Sequence, residues 1–162
     1  MIKLQIIEYN SKYDEQIKTL LVELQEYIAQ IDKEGYNIIT EYFKELYFQK
    51  TMEEINSCNG KIFLASQNEK IVGLIIGIVN NEKENSYDFK APKRGRITEL
   101  IVSQKYRTSG IGQILLSKME EYLKNIGCKA ILIECFGYNT NALKFYQKNG
   151  YFNRAIEMMK KL

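Results

Sequence analysis

Leu100-Ile101-Val102-Ser103-Gln104-Lys105-Tyr106-Arg107-Thr108-Ser109-Gly110-Ile111-Gly112 carries an apolar run into a glycine-spaced turn and out into a new periodic segment. Upstream, Arg96-Ile97-Thr98-Glu99-Leu100-Ile101-Val102 reads as a strand. Downstream, Ile111, Leu115, Leu116, Met119, Leu123 and Ile126 keep a helical period, and Gly127 stands where a C-terminal glycine cap belongs. A loop between strand and helix aims free backbone N–H groups and the positive helix end at one point, which suits a phosphate. Gly110 and Gly112 let the main chain approach an anion closely and adopt positive φ where the turn needs it. Arg107 adds a charged fork or braces the loop. A glycine-containing helix start has the same local pattern, so the loop alone leaves its ligand open.

Lys61–Ser66 and Lys70–Asn80 are apolar runs separated by Gln67-Asn68-Glu69, the signal of an antiparallel hairpin. Ahead of them stand a short strand from Lys3 to Tyr9, an amphipathic helix from about Lys12 to Ile31 capped by Ser11, and a tyrosine-rich helix that starts at Thr40 and ends at Asn59-Gly60. Polar Asn81–Lys90 reads as a loop. Beyond the central helix, Ala130–Cys135 reads as a strand, Asn139–Asn149 as a short helix closed by Gly150, and Tyr151 onward as a last strand. The order β-α-α-β-β-β-α-β-α-β, without repeat or linker in 162 residues, predicts one mixed α/β domain.

Hydrophobic residues at 45% and charged residues at 27% belong to a folded globular chain. A net charge of +3 from interleaved lysines, arginines and carboxylates argues against nucleic acid and is compatible with a small anionic ligand. The opening residues lack a signal-peptide stretch, and Ile71–Val79 is too short to span a bilayer, so a cytoplasmic protein without a membrane partner is expected. Cys58, Cys128 and Cys135 show no disulfide or zinc spacing and are expected to be reduced, buried thiols. With no histidine in the chain, Ser-His-Asp and Cys-His catalysis drop out, no metal site is expected, and acid–base chemistry falls to Glu, Asp, Tyr, Cys, Lys or water. Neither a G-K-[ST] sequence after the glycines nor a G-x-G-x-x-G after the first strand is present, which argues against ATP and NAD.

The stretch from Leu100 to Gly112 resembles the central strand and acetyl-CoA loop of the GNAT superfamily of N-acetyltransferases. A second segment, Asn139-Thr140-Asn141-Ala142-Leu143-Lys144-Phe145-Tyr146-Gln147-Lys148-Asn149-Gly150-Tyr151, is similar to that family's N-x-x-A-x-x-F-Y-x-K-x-G-F block. The specific motifs cover Arg96–Tyr151, and the element order fits nearly the whole chain. Gln104 stands where many relatives have proline and Thr108 where Arg, Gly or Lys is common; neither departure removes a backbone donor.

The resemblance implies a mostly antiparallel twisted sheet, splayed at the cofactor site and flanked by about four helices. It implies acetyl-CoA as cosubstrate, held by the backbone of Leu100, Ile101 and Val102, by Arg107, Thr108, Ser109, Gly110, Ile111 and Gly112, and by Asn139 and Tyr146. The acceptor would be a primary amine of a small molecule or peptide, attacking directly in a ternary complex, and a homodimer is compatible with the family. An amine with a lysine-like pKa of ~10.4 must lose a proton before or during attack. Glu99, which interrupts an apolar strand, is the first candidate base; a salt bridge to Arg96 or Lys61 is its plain alternative. Glu134 is the second candidate and a water chain the third. Tyr146 matches the family tyrosine that protonates the departing thiolate, and core packing with Phe145 is its alternative. Asn139 reads equally as a helix N-cap. Cys135 reads as a buried strand residue, and Tyr27, Tyr36, Tyr42 and Tyr47 lie in the region that walls the acceptor pocket in this fold. A non-catalytic acyl-CoA-binding module on the same fold is the competing function.

Overall fold

Strands β2 (Lys61–Gln67) and β3 (Lys70–Val79) are buried almost end to end, as continuous apolar runs covered on both faces must be. The computed structural model describes residues 4–79 and 92–162, with the backbone of 85–86 and 89–90. Asn68 and Glu69, both at positive φ, close the β2–β3 hairpin with the handedness that matches strand twist. Strand β1 (Leu4–Glu8) pairs antiparallel with β2 on one side. On the other side β3 pairs antiparallel with β6 (Arg94–Val102) and β6 parallel with β7 (Ala130–Ile133), giving the order β1-β2-β3-β6-β7. Asn85–Ser86 (β4) and Phe89–Lys90 (β5) pair in a separate two-residue ribbon.

Helices α1 (Asp14–Ile31) and α2 (Phe43–Ser57) cover one face of the sheet, where Ile17, Leu20, Leu21 and Ile55 pack on Leu64, Leu74, Ile76 and Ile101. Helix α3 (Ile111–Asn125) covers the other, inserting Leu115, Leu116, Met119 and Leu123 against Val72, Ile75 and Ile97. Two sheet glycines set how close α3 sits: a Cβ on Gly77 would collide with Met119, and one on Gly95 would lie 2.6 Å from Leu123 Cδ1. Helix α4 (Thr140–Lys148) packs Phe145 onto the same layer.

One topological detail makes the site. Strand β7 pairs only with Arg94–Ile97 and ends at Ile133, whereas β6 runs on through Glu99 to Val102 against β3 alone. A bulge falls between the Ile76–Glu99 and Gly77–Ile97 pairs, where the two strands part. The expected splay is therefore present.

Several expectations need correction. Residues 151–162 form no strand, so the sheet ends at β7. Strand β7 stops at Ile133, which places half-buried Cys135 after the strand and not within it. Cys58 is also half-buried, and Cys128 alone of the three free thiols is buried. The cap ahead of α1 is Asn10, whose side chain accepts from the Lys12 amide, because a single 3-10 turn over Ser11–Tyr13 precedes the helix. Helix α2 begins at Phe43 rather than Thr40. Within the expected loop Asn81–Lys90, 85–86 pair with 89–90; Asn81 to Glu84, Tyr87 and Asp88 lie outside the described residues.

Candidate active site

Between β6 and α3, a single 3-10 turn (Gln104–Tyr106) leads into Thr108 at φ +64 and Gly110 at φ +83. Both residues sit in the left-handed region, natural for glycine and strained for a β-branched threonine. This alternation curls the chain so that its amides point into one hollow. Among the described residues, the N–H groups from Thr108 through Gln113 find no protein acceptor, and the first helical bond is Ile114 N to Gly110 O at 3.2 Å. No side chain caps the helix, and a Cβ on Gly110 would meet nothing within 4 Å. A helix start that leaves its donors bare and its front open is an anion cradle.

Arg107 braces this loop. Its Nε donates to Val102 O at 3.0 Å, its Nη2 lies 3.7 Å from Glu23 Oε1, and its guanidinium stacks 5.3 Å from the Tyr27 ring centroid. Glu23 also accepts from the Gln104 amide at 2.8 Å, so two residues one turn apart on α1 pin the loop's entry. Ser109 Oγ closes the turn on Tyr106 O at 2.5 Å.

Ser103 N bonds to Val72 O on β3. By the alternation of an antiparallel ladder, the N–H and C=O groups of Leu100 and Val102 then face the opposite way, into the gap that β7 vacates. Ile101 is buried on the α1–α2 face, while Leu100 and Val102 pack on the α3 face. Ile111 is buried, and Gly112 lies where a Cβ would touch Phe145 and Val102 at an ordinary 3.7 Å.

Glu99 points toward the α1–α2 face, where Tyr47 donates its hydroxyl proton to Glu99 Oε1. Arg96 and Lys61, the partners considered for Glu99, pair instead with Glu134 at 3.7 Å and Glu8 at 2.8 Å. Tyr47 is itself held: Phe43 stacks on it at 4.8 Å between centroids, and Thr51 Oγ1 binds its carbonyl at 2.8 Å. Protein crowds the Glu99 carboxyl although part of the residue stays accessible, and this desolvation pushes its pKa from 4.5 up to about 7. The Tyr47 hydrogen bond pulls it back down, and exposed Glu54 adds a smaller upward push.

Tyr146 sits on α4 with its ring edge-on to Phe145 and Tyr151. Desolvation first, then the nearby Cys135 and Glu99, raise its phenol pKa well above the ordinary value, so it holds its proton at neutral pH. Asn139 caps α4 by accepting from the Ala142 amide at 3.2 Å, with the Tyr27 hydroxyl at 3.4 Å. Glu134 is exposed and turned toward Arg96, and among the described residues no hydrogen bond joins it to Glu99 or Tyr146. Glu99 and Tyr146 thus lie near enough for the Glu99 charge to act on the Tyr146 phenol. The resemblance places Tyr47 only among the tyrosines of the acceptor-pocket region; its pairing with Glu99 carries no local signal, since aromatic spacing on a helix looks like core and the partner lies 52 residues away.

Residues 32–151 match the acetyltransferase (GNAT) family. The chain belongs to that family. Among curated proteins, it is 25% identical over 113 residues to glucosamine 6-phosphate N-acetyltransferase of Arabidopsis thaliana, covering 70% of this chain and 74% of that one. It is 34% identical over 89 residues to human N-alpha-acetyltransferase 30, which covers 55% of this chain but only 23% of the human protein. The fold likeness is broader. A Bacillus halodurans protein of known structure superposes with a TM-score of 0.84 at 19% identity, covering 98% of this chain and 99% of the other. An aminoglycoside N-acetyltransferase in complex with CoA superposes at 0.76 with 15% identity, covering 100% of this chain and 97% of the other. These two likenesses extend the match in fold over the whole chain.

Proposed function

We propose that this protein transfers an acetyl group from acetyl-CoA to a primary amine of a small molecule or a protein. The observation that carries the reading is the run of unpaired amides from Thr108 to Gln113, facing open space beside the Leu100 and Val102 edge that β7 does not pair, where Arg107 holds the Val102 carbonyl. These residues fit the group: the amides would hold the pyrophosphate, and the β6 edge would pair with the pantetheine amides. Acetyl-CoA supplies a thioester whose carbonyl carbon an amine attacks, with loss of the thiolate.

The remaining work falls to side chains. Glu99, with a pKa of about 7, is half ionised near neutrality and suits a base that takes the proton of the attacking amine. Tyr47 orients that carboxylate. Tyr146, kept protonated, suits the acid that returns a proton to the departing sulfur, so one proton is taken at nitrogen and one given at sulfur. The Val102 N–H, directed into the gap, is placed to stabilise negative charge on the carbonyl oxygen, a contribution of a few kcal/mol. The GNAT relatives support the acceptor class: the names of three of them specify an amino sugar phosphate, a protein α-amine and an aminoglycoside as their acetyl acceptors.

Thiol release from acetyl-CoA across a panel of amino sugars, peptides and polyamines tests the proposal. Saturable release that depends on the amine is expected. Tight CoA binding with no turnover on any amine would leave an acyl-CoA-binding module in its place.

A further inference from the structure

The two ends of helix α4 are held in different ways. Its C-terminal end is fixed by packing: Phe145 lies in the core beneath α3, and the Tyr151 hydroxyl donates to Glu120 Oε1 at 2.8 Å. The sheet does not reach its start, because β7 ends at Ile133 and the turn that follows closes on itself, Asn139 N to Phe136 O at 2.8 Å. Two phenols hold that start, and both contacts lead to α1 or to the loop behind it. Tyr138 donates its hydroxyl to Glu34 Oε1 at 2.8 Å, with the Lys33 ammonium 4.9 Å from its ring centroid. One residue on, Asn139 Oδ1 accepts from the Tyr27 hydroxyl at 3.4 Å while it caps the Ala142 amide at 3.2 Å. Against the about 2.7–2.8 Å usual for O–H···O bonds, the first contact is tight and the second slack.

The anchor itself is firm. Asp32, at the C-cap of α1, gathers the amides of Glu34, Tyr36 and Asn37 on its carboxylate at 2.7–3.0 Å, which fixes the loop that carries Glu34. Helix α1 also holds the other wall of the gap. Glu23 pins the Gln104 amide, and the Tyr27 ring lies beneath Arg107, whose Nε holds Val102 O. Tyr27 therefore touches both walls, the cofactor loop through its ring and α4 through its hydroxyl. Tyr146 follows Asn139 by seven residues, about two turns, so the two lie on one side of α4.

We infer that Tyr27 and Tyr138 are positioning residues: by clasping the start of α4 to α1, they fix where the Tyr146 hydroxyl stands relative to the acetyl-CoA loop. The inference rests on the reading of Tyr146 as the acid given above. A nine-residue helix held at one end tilts about that end, and a reacting group misplaced by about 1 Å can cost up to roughly 10²-fold in rate. Tyr27→Phe keeps the ring beneath Arg107 and removes only the tie to α4; Tyr138→Phe likewise removes one oxygen.

The pair Tyr27→Phe, Tyr138→Phe tests this, measured by CoA titration, by turnover with the best amine of the panel and by amide hydrogen exchange across 139–146. CoA should bind within about twofold of the unmodified protein, kcat should fall roughly tenfold, and exchange across 139–146 should quicken. The loss should pass through Tyr146. In a Tyr146→Phe background the same pair should change the remaining kcat by less than about twofold. A tenfold fall in that background too would overturn the proposal, because contacts that only stabilise the fold matter whether or not the phenol is present. So would an unchanged kcat where Tyr146 is intact, or CoA affinity lost in step with the rate. Each single variant serves if the pair does not fold. Absence of turnover in the unmodified protein would sink the transferase reading instead, and exchange would still judge the clasp: faster exchange across 139–146 in the pair upholds it, and unaltered exchange overturns it.

Discussion

The Tyr47 hydroxyl donates to the Glu99 carboxylate, tying helix α2 to the centre of β6. Because desolvation raises Glu99 to about 7 while this contact pulls it down, Tyr47 sets where the carboxylate ionises. If Glu99 is the base, kcat/KM climbs with pH through an acid limb near 7. Losing a hydrogen bond to a charged acceptor costs about 1.5–3 kcal/mol, so Tyr47→Phe should move that limb upward by at least about one pH unit. Activity should fall several-fold at pH 7 and recover above the limb. A role confined to packing would lower the rate equally at every pH.

Glu99→Gln should cut turnover by roughly 10²-fold or more, the range of a lost general base, without weakening CoA binding. It should also change how stability depends on pH. The folded protein holds a proton on Glu99 between pH 4.5 and about 7 that the unfolded chain has released, so stability falls as pH rises through that window and then levels. Gln removes this loss. In urea melts the variant should gain on the unmodified protein from pH 4.5 to 7, up to a ceiling of about 3 kcal/mol. A pH-independent difference would contradict the raised pKa.

Tyr146→Phe removes one oxygen and keeps the ring that packs on Phe145 and Tyr151. With Tyr146 as the acid, kcat should drop by roughly 10²-fold while KM for acetyl-CoA holds. An unchanged kcat in steady-state assays would reduce the residue to packing.

Gly95→Val tests the packing that holds the site in shape. The new side chain would enter the space of Leu123, 2.6 Å from its Cδ1, and push α3 and its amide-lined start away from the sheet. A loss of about 1–3 kcal/mol in chemical denaturation is expected from such overpacking. A cost below that range would mean that α3 shifts freely.

Much of this was legible in the chain, for identifiable reasons. Strand β6, the loop and α3 declare themselves because β-branched residues, glycines and a 3.6-residue period succeed one another without overlap, and the Asn139–Tyr151 block shows its cap and its closing glycine. Glu99 stood out as a carboxylate within an apolar strand. What stayed hidden was set by tertiary contact. Tyr47 looks like any core aromatic until α2 lies over β6, and Arg107, open in the sequence to being a charged fork or a brace, acts as the brace only once Glu23 and Tyr27 arrive from α1. Nothing in the sequence around Gly77 and Gly95 announces that each marks the close approach of a helix. The last strand expected from Tyr151 onward is absent: residues 152–162 join no ladder, and Arg154 and Lys160 interrupt the face that Phe152, Ile156 and Met158 would present.

The claim beneath all of this is that the bare amides of Thr108 to Gln113 grip the CoA pyrophosphate. Titrating CoA into isotope-labelled protein and following backbone amide resonances tests it directly, with Gly110→Val as control. Saturable shifts concentrated on 108–113 and on Leu100 to Val102 are expected, with at least tenfold weaker binding in the folded variant. CoA that binds without moving those resonances, or binds the variant equally well, would contradict the account.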